Sequence, residues 1–82
     1  MMNNIDVKNL KEIELNTCGT ECPIPVLKAR KLCQTLSKGQ MVKIISTDPL
    51  AEADFRHYCD QSNFTFIDIK KDKDKLYIRF KI

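Results

Sequence analysis

The chain has 82 residues, of which 43% are hydrophobic and 30% charged. This length and composition predict one domain over residues 1–82 with a single core, and we expect residues 1–9 to be less ordered than the rest. A domain of this size leaves little room for an internal cavity, so any active site should lie near its surface. Because no apolar stretch approaches the roughly 20 residues of a membrane helix and no secretory leader is visible, we expect a cytoplasmic protein without a membrane partner.

The charge pattern also limits the classes of partner. The 14 basic and 11 acidic residues give a net charge of +3 and are mixed along the chain. With two Tyr, four Phe and no Trp, aromatic residues are too sparse to suggest direct nucleic-acid binding. The unusual feature is the presence of four cysteines, which the cytosol would keep as thiols.

The first half of the chain predicts a strand, a helix and a second strand. Near-alternation of apolar and charged residues predicts a first strand over residues 10–16. A helix is predicted from about Pro25 to Ser37, ended by Gly39, because apolar residues recur there at helical steps: Val26, Ala29, Cys33 and Leu36. The nearly continuous β-favouring run over residues 41–45 predicts a strand in the sheet interior.

The second half predicts a helix and two more strands. Asp48-Pro49 supplies an N-cap and a first helical residue, so a second helix is expected over about 49–62 with an apolar stripe of Ala51, Phe55, Tyr58 and Cys59. Strand three contains Phe64, Phe66 and either Ile67 or Ile69. The charged run 70–75 predicts a hairpin turn, and alternation over residues 76–82 predicts strand four. The order β-α-β-α-β-β predicts an α+β two-layer sandwich, with two helices on one face of a mixed four-stranded sheet.

The segment that most suggests a chemical function is Cys22-Pro23-Ile24-Pro25, between strand one and helix one. A residue before proline is driven out of the α region, so Cys22 and Ile24 should be extended and the helix should begin at Pro25. Cys22 would then lie beside the helix N-terminus, where the dipole and the nearby basic residues should lower its thiol pKa: Lys28, Arg30 and Lys31. Pro23 and Pro25 would hold this exposed nucleophile in a fixed geometry.

The other cysteines and the single histidine suggest other roles. Cys33 lies on the apolar stripe of helix one and is expected in the core. Cys59 could either pack in the core or assist the reaction of Cys22. Cys18 precedes Cys22 by four residues, close enough for the two sulfurs to meet, although the spacing is not Cys-x-x-Cys. His57 is expected at the surface and could act as acid or base only if it faced Cys22. The spacings do not suggest zinc, so we expect no metal and no cofactor.

These residues resemble the TusA-like (SirA-like) sulfur carriers. The resemblance covers nearly the whole chain and rests on Gly19, the segment Glu21 to Leu27, Lys31, Gly39, Asp48-Pro49, Asp54 and Cys59. It implies a sandwich like that of the C-terminal domain of translation initiation factor 3. It also implies that Cys22 accepts sulfane sulfur as a persulfide from a cysteine desulfurase or a rhodanese-type donor.

The resemblance further implies that the sulfur passes to an acceptor protein, as in tRNA thiolation or related sulfur-trafficking pathways, in a sulfurtransferase-type step. Cys22 would be positioned by Gly19, Pro23 and Pro25. Partners would bind the basic residues of helix one, which are Lys28, Arg30 and Lys31. The candidate auxiliary thiols are Cys18 and Cys59. The chain departs from the family at Asn16, Thr47 and Ser62, where the family commonly has two acidic residues and a glycine.

A second hypothesis needs no sulfur donor. Cys18 and Cys22 could form a reversible disulfide, which would make the protein a thiol redox switch or a regulatory interaction module.

Overall fold

The computed structural model describes residues 12–82. Its elements are β1 (Ile13–Asn16), α1 (Ile24–Cys33), β2 (Met41–Ser46), α2 (Ala51–Ser62), β3 (Thr65–Asp72) and β4 (Lys75–Lys81), which confirms the predicted order. Residues 1–9, and the first two residues of the predicted strand 10–16, lie outside the described residues. Within residues 12–82, no helix is both long enough and apolar enough to cross a membrane.

The sheet is mixed and four-stranded, with the strand order β1-β2-β4-β3. β1 runs parallel to β2, and β4 runs antiparallel to both β2 and β3. β2 therefore occupies an interior position, as its apolar run predicts. Because β1 and β2 are parallel neighbours, the loops that follow them leave the sheet at the same edge.

Both helices pack on one face of this sheet and form a single core with it. The buried residues of that core are Ala29, Cys33, Val42, Ile44, Ala51, Phe55, Tyr58, Cys59, Leu76, Ile78 and Phe80. Phe55 stacks on Phe80, and Tyr58 meets Phe80 edge to face, so an aromatic cluster joins α2 to β4. The predicted stripe of helix two and the core position of Cys33 are thus confirmed.

Both helices have bounds that differ from the prediction. α1 ends at Cys33 rather than Ser37, because residues 34–36 turn away while Leu36 still packs against the core. α1 also begins at Ile24, which is helical rather than extended. Pro25 is tolerated at the second helical position because an N–H there would have no partner within the helix.

The second helix begins two residues later than predicted. Pro49 and Leu50 belong to a turn in which the Asp48 carbonyl accepts a hydrogen bond from the Ala51 N–H at 3.0 Å, and α2 starts after it. At the other end of α2, Asn63 has a left-handed φ of 61°, and the Phe64 N–H donates to the Cys59 carbonyl at 2.9 Å. This arrangement satisfies carbonyls that a helix end would otherwise leave open.

The β3–β4 hairpin is longer and tighter than the charged run 70–75 predicts. β3 continues to Asp72 and β4 begins at Lys75, so that the turn is formed by residues 73–74, with Lys73 at a φ of 58°. A bulge between Phe66 and Asp68 makes Ile67 the extra residue, and Ile67 is 40% exposed. Ile69 pairs with Ile78 and packs against the core, so it is Ile69 that continues the apolar face of strand three.

Candidate functional site

The cysteine loop, residues 17–22, leads from β1 to α1 and is held against the end of β2. Thr17 is 1% exposed, and both its N–H and its hydroxyl donate to the Ile45 carbonyl at 2.7 Å. The Gly19 N–H donates to the Thr47 Oγ1 at 3.0 Å, and the Thr20 hydroxyl donates to the Thr17 carbonyl at 2.7 Å. These bonds leave the loop little freedom, although it lies at the surface.

Gly19 has a backbone conformation that other residues rarely adopt. Its φ is 84°, in the left-handed region that glycine reaches without the steric cost of a Cβ. No atom within 4 Å would meet a Cβ at this position, so the need for glycine comes from the backbone and not from crowding.

Asp48 joins the cysteine loop to the start of α2. Its Oδ2 accepts the Cys22 N–H at 2.5 Å and its Oδ1 accepts the Leu50 N–H at 3.0 Å. Asp48 is 8% exposed, so its carboxylate is largely shielded from water, and these part-buried bonds count for more than fully exposed contacts. One carboxylate thus fixes the backbone of Cys22 relative to α2.

Cys22 is exposed and lies immediately before the N-cap residue of α1, Pro23. Pro23 is exposed, whereas Pro25 is buried and anchors the first turn of the helix. The prediction that Cys22 lies just outside the helix N-terminus is confirmed.

The predicted direction of the Cys22 pKa shift is wrong. The Asp54 carboxylate, which accepts a hydrogen bond from the Cys22 thiol, raises the pKa of that thiol above its ordinary value. Partial removal from water and the negative charges of Asp54 and Asp48 act in the same direction. The carboxylates therefore outweigh the helix N-terminus and the basic residues of α1.

Two clefts adjoin Cys22. The larger, of about 460 Å³, lies between the cysteine loop and the segment 47–50. The smaller, of about 140 Å³, lies between α1 and α2, and its lining includes Cys22, Arg30, Asp54 and His57. His57 is a surface residue, as predicted, and it faces the same cleft as Cys22.

The four cysteines are free thiols in different surroundings. Cys59 is 1% exposed, and burial together with the nearby Cys33 raises its pKa to about 12. Burial also raises the pKa of Cys33, although a hydrogen bond with Tyr58 opposes the shift. Cys18 is partly exposed, and its N–H donates to the Asn16 Oδ1 at 2.9 Å, but it lines neither cleft beside Cys22.

The basic residues predicted to bind partners all lie exposed on α1: Lys28, Arg30 and Lys31. Arg30 also reaches across to α2, where its guanidinium carbon lies 5.4 Å from the centre of the Tyr58 ring. Apolar side chains surround the same end of the molecule, since Ile24, Leu27 and Leu50 are 43%, 55% and 60% exposed. In the part of the chain that the structure describes, no three His, Cys, Asp or Glu side chains are grouped to hold a metal.

Three residues that the sequence singles out hold or touch the cysteine, although this contact was not predicted for any of them. The hydroxyl of Thr47, the second carboxylate oxygen of Asp48 and the carboxylate of Asp54 reach the cysteine loop from 26 to 32 residues away in the chain. A signal for the first two was available: parallel β1 and β2 place the loops after them at one edge. The polar side chains of Asn16 and Thr47 bind the cysteine loop directly.

Comparison with known proteins gives consistent matches. The model of the family described as "Sulfurtransferase TusA" matches residues 13–82. The sulfur carrier protein TusA of Allochromatium vinosum is 32% identical over 68 residues, which cover 83% of this chain and 90% of that protein. A relative from Aquifex aeolicus is 33% identical over 70 residues, 84% of this chain but 36% of its own length.

A solved structure supports the fold. The SirA-like protein of Desulfitobacterium hafniense superposes with a TM-score of 0.73 at 18% identity, covering 87% of this chain and 96% of that one. The family model, which spans every element from β1 to β4, and the relative from Allochromatium vinosum show that the chain belongs to the TusA family.

Proposed function

We propose that this protein is a sulfur carrier in which Cys22 accepts sulfane sulfur as a persulfide and passes it to an acceptor protein. The observation that carries the proposal is the position of Cys22, an exposed thiol on a backbone fixed by Asp48 and flanked by Pro23. A relative that covers most of this chain is itself named a sulfur carrier protein. A carrier must present its thiol to two partners in turn, so it needs an accessible thiol more than a deep pocket.

The surroundings of Cys22 suit contact with other proteins. Ile24 and Leu27 supply exposed apolar area beside the thiol, and Lys28 and Lys31 add positive charge to the same helix. An apolar centre with a charged rim is the usual composition of a protein interface. We expect the donor to be a cysteine desulfurase or a rhodanese-type protein, with contact through this face of α1.

The downstream step is part of the same proposal. The sulfur would pass to an acceptor protein in the cytoplasm, as in tRNA thiolation or a related sulfur-trafficking pathway. Gly19, Pro23 and Pro25 would keep Cys22 in its geometry during both transfers. Cys33 and Cys59 would take no sulfur, because both are buried and a partner's persulfide cannot reach them.

Loading by a donor tests the proposal. Incubation with a cysteine desulfurase and cysteine, followed by intact-mass measurement, should show a gain of one sulfur atom. Cys22→Ser should lose that gain, whereas the matched control Cys18→Ser should keep it. An equal gain in Cys22→Ser would exclude Cys22 as the acceptor, and loss of the gain in Cys18→Ser would indicate that both cysteines take part.

A further inference from the structure

The cleft between α1 and α2 brings a carboxylate into contact with the Cys22 thiol. Asp54 lies in the first turn of α2 and lines this small cleft together with Cys22, and its carboxylate raises the pKa of the thiol. Asp48 acts differently, since its two oxygens bond the backbone N–H groups of Cys22 and Leu50. Asp54 is therefore the carboxylate whose interaction energy with the sulfur depends on whether the sulfur is neutral or anionic.

Other ionisable groups also surround the thiol. Those that line its two clefts are Glu21, Arg30, Asp48, Asp54, His57 and Tyr58. Three of them are carboxyl groups and one is a guanidinium, which is partly occupied by its contact with the Tyr58 ring. The surroundings therefore favour a protonated, neutral sulfur over an anionic one.

We propose that Asp54 is a positioning residue that biases Cys22 toward giving its sulfur away. This inference rests on the proposed carrier function and assigns a direction to it. Asp54 stabilises the unloaded Cys22, which can donate an S–H hydrogen bond to the carboxylate. A persulfide is more acidic than the corresponding thiol, so the loaded Cys22 is an anion that the Asp54 carboxylate repels.

The transfer itself balances without an external oxidant. The Cys22 thiolate attacks the terminal sulfur of a donor persulfide, an S–S bond forms on Cys22, and the donor S–S bond breaks with its electron pair leaving on the donor thiolate. The proton given up by Cys22 is returned through solvent to the departing thiolate. A thiol and a persulfide thus exchange one sulfur atom, and Asp54 changes the equilibrium constant of that exchange.

An equilibrium measurement tests the bias directly. The protein would be equilibrated at neutral pH with a fixed ratio of glutathione persulfide to glutathione, and the loaded fraction read from the intact mass. We expect a larger loaded fraction for the isosteric Asp54→Asn than for the wild type. Asp60→Asn, an exposed position on the same helix, should match the wild type. An equal or smaller loaded fraction in Asp54→Asn would overturn the proposal.

A second measurement separates this inference from the carrier function. The rate of Cys22 alkylation by iodoacetamide, followed against pH in a Cys18→Ser background, needs no sulfur donor. Its midpoint should move to lower pH in Asp54→Asn and stay in place in Asp60→Asn. An unmoved midpoint in Asp54→Asn removes the inference but leaves the carrier function standing. Failure of desulfurase loading with a moved midpoint removes the carrier function alone, since the contact of Asp54 with the thiol is then intact.

Discussion

Two aspartates act on Cys22 in different ways, although neither is near it in the sequence. Asp48 bonds the backbone of Cys22 and fixes where the residue lies, while Asp54 bonds the thiol and changes its acidity. The Asp48-Pro49 pattern predicted Asp48 as the N-cap of the second helix, but the N-cap residue is Leu50, and Asp48 instead accepts the Leu50 N–H in the turn before α2. The second bond, to the Cys22 N–H, forms because the ends of β1 and β2 are neighbours in the sheet. No pattern in the sequence around Asp48 predicts it.

Replacing Asp48 should lower the free energy of unfolding, because its side chain accepts hydrogen bonds from two backbone N–H groups. Asp48→Ala leaves the N–H groups of Cys22 and Leu50 without acceptors, so we expect the free energy of unfolding to fall by about 1–3 kcal/mol. Asp48→Asn keeps one acceptor oxygen and should fall between the wild type and Asp48→Ala. Urea unfolding ranks the three proteins by free energy of unfolding, provided that their m-values agree, and Asp60→Ala at an exposed position serves as the control. Equal stability of Asp48→Ala and the wild type would contradict the bridging role.

At the scale of elements, the sequence predicted the existence and type of each helix and strand better than their ends. The apolar steps of α1 continue to Leu36, but the helix stops at Cys33, because Leu36 reaches the core from a turn. The alternation in strand three could not distinguish Ile67 from Ile69, since a bulge changes the face without changing composition. Such boundaries depend on tertiary contacts that a local pattern does not contain.

The β3–β4 pairing carries an ion pair that should make stability depend on pH. Arg79 donates to both Asp68 oxygens, at 2.9 and 2.7 Å, and this contact lowers the pKa of Asp68. A carboxyl group whose pKa is lower in the folded state stabilises the fold above its unfolded pKa, and the contribution is lost as the pH falls through the folded value.

The free energy of unfolding of the wild type should therefore drop more steeply below about pH 4 than that of Asp68→Asn. Asp72→Asn, at an exposed position on the same strand, should keep the steep wild-type slope. Urea unfolding at a series of acidic pH values provides the comparison. Parallel curves for the wild type and Asp68→Asn would show that the pair contributes nothing to the pH dependence.

At the scale of the whole molecule, the fold and the exposed cysteine were predictable from the sequence, but the electrostatics of the site was not. The order of elements and the apolar stripes define the sandwich, and the proline-flanked Cys22 lies at the helix entrance as expected. The sign of its pKa shift depends on Asp54, 32 residues away, which reaches the thiol only once both helices pack on the sheet. Local charges therefore suggested the opposite sign.

The same packing separates the four thiols by exposure. Cys33 and Cys59 lie in the core, Cys18 is partly exposed on the cysteine loop, and Cys22 is exposed beside α1. We expect the transferable sulfur to reside on Cys22 alone. This selectivity would belong to the folded molecule, since all four cysteines would be comparable in an unfolded chain.

The most direct test is to locate the sulfur in the folded wild-type protein. After loading by a cysteine desulfurase, the persulfide would be trapped by alkylation and the protein digested after Glu21 and after the basic residues of α1, which separates Cys22 from both Cys18 and Cys33. Fragment masses should place the additional sulfur on the peptide that contains Cys22, and a subsequent incubation with excess thiol should remove it. Additional sulfur found on Cys18, Cys33 or Cys59, with Cys22 unmodified, would contradict the account.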